Sequence, residues 1–246
     1  MITSADNPRV KEVVRLRRSA ERLRTGLFVA EGRREVERAR AAGLAIRATY
    51  VAPELIPDWP HDHATTEVSA RVLARMSYRA EPEGVLAVVE APQRSLPPDP
   101  TLILVAVGIE KPGNLGAMAR TADAAGADAL LVADARADPW NPNAIRASTG
   151  SVFTLPIVDV TVDDVHALQH HRIAAVLGAH SQHSEPDYRN PTTFLIGAED
   201  AGLPQKWRDI AHTHVEIPMR GTTADSLNAS ATAAVLLFEA VRQRTV

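Results

Sequence analysis

The 246-residue chain contains no cysteine and few aromatic residues. Without cysteine it forms neither disulfides nor thiolate metal sites, which fits a reducing compartment. Aromatic residues make up 4% of the chain and hydrophobic residues 45%, so we expect cores of Ala, Val, Leu and Ile. No apolar run reaches the roughly 18 residues that a membrane-spanning helix needs, and the sequence opens with no apolar signal segment. These features predict a cytoplasmic protein with no membrane partner.

The histidines do not follow the pattern of a metal site. Eight of the nine occur as the pairs His61/His63, His170/His171, His180/His183 and His212/His214. None of these pairs has a cysteine or an H-E-x-x-H frame beside it. We therefore predict no metal.

Charge is distributed unevenly along the chain. Residues 1–50 hold twelve Lys and Arg against six Asp and Glu, although the whole chain has a net charge of −3. A basic end joined to an acidic remainder is typical of proteins that bind a polyanion. The spacing of Lys11, Arg15, Arg18 and Arg22 places them on one helical face, where they either contact phosphates or form an ordinary solvated surface.

A proline-rich segment, residues 92–100, divides the chain. Its four prolines allow neither a helix nor a central strand, so we predict a linker. Before it, a helix that starts at Asn7-Pro8 and then alternating strands and helices predict a small α/β domain over 1–91. After it, from residue 101, continuous apolar runs alternate with helices, which favours a mostly parallel sheet with helices on both sides.

The C-terminal part contains blocks in which an element ends in a loop that exposes backbone polar groups. These blocks are Lys111-Pro-Gly-Asn-Leu-Gly-Ala-Met-Ala-Arg-Thr121, Phe194-Leu-Ile-Gly-Ala-Glu-Asp-Ala-Gly-Leu203, Ile217-Pro-Met-Arg-Gly221 and Ser226-Leu-Asn-Ala-Ser230. Loops of this kind present main-chain N–H and C=O groups to a small molecule. The first block lacks both the G-x-G-x-x-G spacing and a G-K-[ST] ending, which disfavours a nucleotide-dependent oxidoreductase.

In this order the blocks resemble the SpoU/TrmH-type RNA 2′-O-ribose methyltransferases of the SPOUT class, from about Thr101 to the end. Residues 28–32 and 83–89 are similar to the RNA substrate-binding domain that often precedes the catalytic one. The resemblance implies an α/β-knot fold with a deep trefoil knot over 101–246, and a homodimer. It also implies S-adenosyl-L-methionine as cofactor and methyl transfer to a ribose 2′-hydroxyl, with 23S rRNA as the expected RNA. The alternatives are a tRNA 2′-O-methyltransferase and a non-catalytic RNA-binding protein of the same fold.

The resemblance implies the site residues as well. The catalytic set is Arg120, Asn114, Glu199, Ser226 and Asn228, and the cofactor-binding set is Gly178, Ile196, Gly197, Ile217, Met219, Ser226 and Leu227. We interpret Arg120 as a cationic donor to the forming alkoxide, because arginine stays protonated in proteins; a role as base is the alternative.

Without the resemblance, simpler roles are available for three of these residues. Arg120, expected on the buried side of its helix, could pair with Asp123 or Asp128. Glu199 could cap the helix after Pro204, and Ser226 could be an N-cap. The chain also departs from the family pattern, because Lys111 stands where Asp or Asn usually precedes the proline and four residues instead of three separate Gly221 from Ser226.

Overall fold

The computed structural model describes residues 1–60, 65–134 and 137–245, so His61 and His63 lie outside the described residues. The chain forms two compact units, one of Met1–Gln93 with Trp140–Thr154 and the other of Arg94–Pro139 with Leu155–Val246. Residues 140–154, which follow the predicted linker, thus pack within the first unit. The predicted domain bounds, which were placed on the linker, remain a prediction.

The elements follow the predicted alternation of helices and strands. In the first unit they are α1 (Pro8–Arg15), α2 (Ser19–Thr25), β1 (Leu27–Glu31), α3 (Arg33–Ala41), β2 (Ile46–Val51), β3 (Thr65–Glu67), α4 (Ala70–Met76) and β4 (Val85–Glu90). The chain continues with β5 (Leu102–Val107), α5 (Pro112–Ala124), β6 (Ala129–Ala133), α6 (Pro142–Ser148), β7 (Ile157–Asp159), α7 (Val162–His166), β8 (His171–Ala175), β9 (Ser181–Gln182), β10 (Thr192–Ile196), α8 (Gln205–Asp209), β11 (Thr213–Glu216) and α9 (Ala229–Arg244). Among the described residues, no helix has the length and hydrophobicity to cross a membrane.

The first unit is built on a four-stranded sheet of order β1-β4-β2-β3. Strand β4 is antiparallel to β1 and β2, whereas β3 is parallel to β2. Helices α1 and α4 pack on this sheet through a core that includes Val10, Val13, Val72 and Leu73. The side chain of Asn7 accepts a hydrogen bond from the Arg9 N–H at 2.9 Å, which confirms the predicted start of α1.

The predicted basic stripe is interrupted after α1. The chain turns at residues 16–18 and starts a second helix, and Arg22 is only 4% exposed. The Arg22 guanidinium donates to the carbonyl oxygens of Leu16 at 2.7 Å and Arg17 at 2.9 Å, so it closes the turn between the two helices. This corrects the prediction that Arg22 faces a phosphate. The remaining three side chains are exposed, and an RNA contact by them stays a prediction.

The second unit contains a seven-stranded sheet of order β7-β6-β5-β10-β8-β11-β9, whose described pairings are all parallel. Every residue of β5 and β10 is buried, as expected of strands covered on both faces. Helices α5 and α9 pack against each other and the sheet, while Val165 of α7 and Trp207 of α8 pack with the opposite-facing side chains of β5. The carboxyl ends of β8, β10 and β11 meet at one edge, where parallel sheets commonly bind ligands.

Candidate active site

A cavity of about 280 Å³ opens at the carboxyl ends of β8, β10 and β11. Its walls come from the loop after β10, from the chain after β11 and from the segment before α9. Of the predicted cofactor-binding residues, the cavity is lined by Ile196, Gly197, Ile217, Met219, Ser226 and Leu227. Gly178 does not line it. Cofactor binding by these residues stays a prediction that the cavity makes spatially consistent.

Gly197 is where the loop after β10 folds back on itself. A Cβ at this position would lie 2.2 Å from the carbonyl carbon and oxygen of Gly202 and 2.3 Å from the Leu203 nitrogen. The Gly202 N–H donates to the Ala198 carbonyl at 2.9 Å, and Gly202 has a φ of +65°. Only glycine allows these two backbone segments to approach so closely. The tight loop places residues 197–203 along the cavity wall.

Several lining residues carry no signal in the sequence. Glu216, at the end of β11, lines the cavity and accepts a hydrogen bond from the Gly178 N–H at 3.0 Å. Gly178 therefore contacts a lining residue without lining the cavity itself. Arg208 fastens the loop, because its Nε donates to the Leu203 carbonyl at 2.7 Å. Leu177 also lines the cavity, and its side chain is 68% exposed.

Glu199 is the centre of a polar cluster beside the cavity. Its Oε2 lies 2.5 Å from the Lys111 ammonium, and its Oε1 accepts a hydrogen bond from the Asn114 amide at 2.8 Å. The Asn228 amide donates both to Glu199 Oε1 and to Asn114 Oδ1. The structure thus unites three predicted catalytic residues, and Glu199 does not cap the helix after Pro204 as the simpler interpretation proposed.

The same contacts fix the charge and orientation of the cluster. The hydrogen bond from Lys111 holds the pKa of Glu199 below its ordinary value, and Glu199 in turn raises the pKa of Lys111. The two therefore form an ion pair at neutral pH. Asn228 is also the N-cap of α9, since its Oδ1 accepts from the Ser230 N–H at 2.8 Å. This second bond leaves only the Asn228 amide nitrogen to face Glu199.

Arg120 and Ser226 lie outside this cluster. Arg120 is exposed, which corrects the expectation that it points to the buried side of α5. Six residues separate it from Asn114, so at about 100° per residue their side chains leave the helix roughly 120° apart. Asp128 instead accepts hydrogen bonds from the Thr101 and Leu102 N–H groups, and the described residues offer Arg120 no ion pair. Ser226 lines the cavity, but the N-cap of α9 is Asn228.

The cavity and the cluster together suit a reaction between a bound small molecule and a hydroxyl group. Glu199 lines the 280 Å³ cavity and also a second one of about 60 Å³, which Lys111 and Asn114 share. An ionised carboxylate therefore lies between two adjacent cavities, a larger one that includes apolar residues such as Leu177 and Ile196 and a smaller one that includes Lys111 and Asn114. Such a carboxylate can orient a hydroxyl towards an electrophile in the larger cavity.

Comparisons with known proteins agree with this geometry. The model of the SpoU rRNA Methylase family matches residues 101–238, and that of the MRM3-like substrate binding domain matches residues 7–87. A 23S rRNA (uridine(2479)-2′-O)-methyltransferase of Streptomyces viridochromogenes is 35% identical over 91% of this chain and 85% of that protein.

Two solved structures cover nearly the whole chain. The crystal structure of an RNA 2′-O ribose methyltransferase has a TM-score of 0.86 at 42% identity and covers 100% of this chain and 99% of its own. The AdoMet-bound rRNA methyltransferase from Sinorhizobium meliloti has a TM-score of 0.87 at 31% identity, over 98% of this chain and 97% of its own. These matches confirm the resemblance drawn from the sequence blocks. The chain belongs to the SpoU rRNA methylase family.

Proposed function

We propose that this protein transfers the methyl group of S-adenosylmethionine to a ribose 2′-hydroxyl of ribosomal RNA, with 23S rRNA as the substrate. The observation that carries this function is the position of Glu199, which joins Asn114 and Asn228 at the wall of the strand-end cavity. The relative from Streptomyces viridochromogenes is named for the same reaction on 23S rRNA, and the Sinorhizobium meliloti structure contains AdoMet.

The residues at the larger cavity fit S-adenosylmethionine. The backbone at Ile196 and Gly197 offers hydrogen-bonding groups at close range, and the exposed apolar side chains of Leu177 and Leu227 suit a purine ring. The bound cofactor supplies an electrophilic methyl group on a sulfonium. The cavity holds such a ligand by its shape and by backbone hydrogen bonds.

Glu199 acts on the nucleophile in this proposal. A neutral hydroxyl is a poor nucleophile, so a neighbouring group must orient it and the growing alkoxide charge must be stabilised. The lowered pKa of Glu199 makes the carboxylate a weak base, so it first accepts a hydrogen bond from the hydroxyl and takes up the proton only as the bond from the 2′-oxygen to the methyl carbon forms. The Asn114 and Asn228 amides hold the carboxylate in place. Stabilisation of the alkoxide charge is left to the guanidinium of Arg120.

A homodimer explains how Arg120 can reach a cluster that it does not touch within its own chain. The outward face of α5 around Arg120 carries Ala117 and Ala124, and the neighbouring helix α9 presents Val235 and the 48% exposed Phe238. Apolar side chains are thus exposed beside Arg120, as is common at a twofold interface. We place Arg120 of each protomer at the active site of its partner.

Three further features belong to the same proposal. The chain beyond β10 passes through a loop to form a deep trefoil knot, supported by the position of β10 between β5 and β8 and by the tight backbone contact at Gly197. Residues 1–91 form the RNA-recognition domain, 92–100 the linker and 101–246 the catalytic domain. The protein works in the cytoplasm on its RNA. A crystal structure in which the backbone of residues 101–246 is not knotted would contradict the proposed trefoil knot.

Substitution of Arg120 tests the assignment. We expect Arg120→Ala to lower the rate of methyl transfer by about 10²- to 10³-fold, the usual effect of removing one transition-state donor. Its affinity for S-adenosylmethionine in calorimetry should stay within a few fold. Arg120→Lys should also be impaired, because an ammonium does not reproduce the guanidinium fork. Arg189→Ala, which removes an exposed arginine paired with Asp187, is the matched control and should keep full activity.

Mixed dimers then locate the arginine. Arg120→Ala and Asn228→Ala protomers, each inactive alone, should regain part of the activity when mixed, because one site in each mixed dimer is complete. No recovery in dimers shown to exchange subunits would place Arg120 and Asn228 in the same site. If light scattering showed a monomer and this monomer were fully active in methyl transfer, the shared-site proposal would be overturned.

A further inference from the structure

Lys111 is an unusual residue for its position. It is the N-cap of the 13-residue helix α5, where a positive charge is unfavourable because the helix dipole is positive at that end. Its side chain is 68% exposed, and its ammonium contacts the carboxylate of Glu199. A residue that conflicts with its local structure is expected at a functional site. Lys111 lies at the polar cluster, within the first sequence block.

The ammonium of Lys111 has N–H groups that are available for further hydrogen bonds. A lysine carries three N–H groups, and among the described residues its Nζ makes a hydrogen bond only to Glu199. The 60 Å³ cavity that Lys111 and Asn114 share is also lined by Glu110 and Asp200, whose charges act on Lys111. Without the ammonium, the carboxylates of Glu199 and Asp200 would face a ligand that enters this cavity.

RNA chemistry places a phosphate next to the hydroxyl that Glu199 orients. The 2′-oxygen and the 3′-phosphodiester of a nucleotide are attached to adjacent ribose carbons, so an enzyme that holds one has the other within a few ångströms. The carboxylates of Glu199 and Asp200 in this cavity would repel that phosphate, and a cation beside them reverses the local field. Lys111 has both the position and the unused donors to do so.

We propose that Lys111 binds the 3′-phosphodiester of the nucleotide that is methylated. In the free enzyme its ammonium neutralises Glu199; in the complex its remaining N–H groups face the phosphate while Glu199 accepts the neighbouring hydroxyl. This proposal rests on the proposed function, because it assigns the smaller cavity to the acceptor ribose. It makes Lys111 a substrate-binding residue in addition to its contact with Glu199.

Lys111→Met, which keeps the length of the side chain and removes its charge, provides the main test. Steady-state kinetics with a 23S rRNA transcript should show KM for RNA raised by about five- to tenfold and kcat changed by less. The slope of log Kd for the transcript against log salt should fall by about 0.7 to 0.9, as expected for one lost phosphate contact. Lys111→Arg should restore the slope. Lys206→Met, which removes the ammonium paired with Asp134, is the matched control and should change neither quantity.

A chemical footprint reports on the same contact without catalysis. The chain has only three lysines, Lys11, Lys111 and Lys206, so reductive methylation followed by mass spectrometry resolves each of them. Binding of the transcript should protect Lys111 and leave Lys206 reactive. If the protein binds the transcript while Lys111 stays as reactive as in the free protein, the phosphate contact does not form and the proposal is overturned.

A third experiment tests whether the phosphate that Lys111 contacts is the 3′-phosphodiester of the methylated nucleotide. Once the methylated nucleotide is mapped, a synthetic RNA with a neutral methylphosphonate on its 3′ side should raise KM for the wild type and have no further effect on Lys111→Met. If the methylphosphonate raised KM for Lys111→Met by the same factor as for the wild type, Lys111 would not act on this phosphate. A fall in kcat with unchanged KM and salt slope would reduce Lys111 to a group that only positions Glu199. A wild type that binds the transcript but transfers no methyl group would contradict the proposed function itself, and the footprint would still decide whether Lys111 contacts RNA.

Discussion

Replacing Gly197 with alanine should open the loop that forms the cofactor cavity. The added Cβ would stand 2.2 Å from the Gly202 carbonyl and 2.3 Å from the Leu203 nitrogen, whereas non-bonded carbon atoms settle at about 3.5 to 4.0 Å. The atoms in the way are backbone, so no side chain can rotate to make room. The segment around Gly202 and Leu203 must therefore move away from residue 197 by more than an ångström.

The magnitude follows from the cost of overpacking. Inserting a methyl group into a closely packed site costs about 1–3 kcal/mol, and a clash with backbone belongs at the upper end. For a unit of this size, each kcal/mol corresponds to about 2–4 °C in Tm. If the loop moves and the free energy of unfolding stays the same, this free-energy cost instead reduces the free energy of cofactor binding. It then lowers the affinity for S-adenosylmethionine by about ten- to a hundredfold.

Calorimetry and thermal unfolding on one pair of variants separate these outcomes. Gly113→Ala is the matched control, because a Cβ on Gly113 meets no atom within 4 Å and the residue lies in the first turn of α5. We expect the control to bind the cofactor like the wild type, with an equal or slightly higher Tm. Gly197→Ala that keeps both its Tm and its cofactor affinity would refute the assignment of this loop to the cofactor.

Two further predictions concern ionisation and RNA contact. Because the pKa of Glu199 is lowered, its carboxylate is already ionised above the ordinary glutamate pKa and protonates only as pH falls below it; Lys111→Met should move this pKa upward. NMR titration of carbon-13-labelled glutamate, assigned with Glu199→Gln, measures the shift, and an unchanged pKa would show that Lys111 does not set it. Charge reversal at Arg15 and Arg18 should weaken RNA binding and flatten its salt dependence without affecting cofactor binding. An unchanged salt slope would identify these residues as an ordinary solvated surface.

The regular elements of the second unit could be predicted because their signals are local. Strand β6 lies in one of the apolar runs expected after residue 101, and α9 begins at the residue that follows its asparagine cap. Very short strands could not be predicted, because they have no such local signal in the sequence. Strand β9 is two residues long and pairs only with β11, so its conformation depends on the neighbouring strand.

The candidate site could be predicted in its residues but not in its contacts. The resemblance of the sequence blocks to the family implied Asn114, Glu199 and Asn228, but the ion pair from Lys111 to Glu199 joins residues 88 positions apart, which no local pattern records. The orientation of Arg120 and the burial of Arg22 were misjudged for a related reason. The orientation of Arg120 depends on which face of α5 the sheet covers. The burial of Arg22 depends on a turn whose carbonyl oxygens need a hydrogen-bond donor.

The central claim is tested most directly by mapping where the purified protein places a methyl group. 23S rRNA and tRNA from a strain that lacks the gene are incubated with S-adenosylmethionine, and 2′-O-methylation is read at each nucleotide. The account predicts one new 2′-O-methyl group, in 23S rRNA, which is absent when Glu199→Ala replaces the wild type. Methylation of tRNA alone, methylation on a base, or no transfer by a protein that binds the cofactor would contradict it.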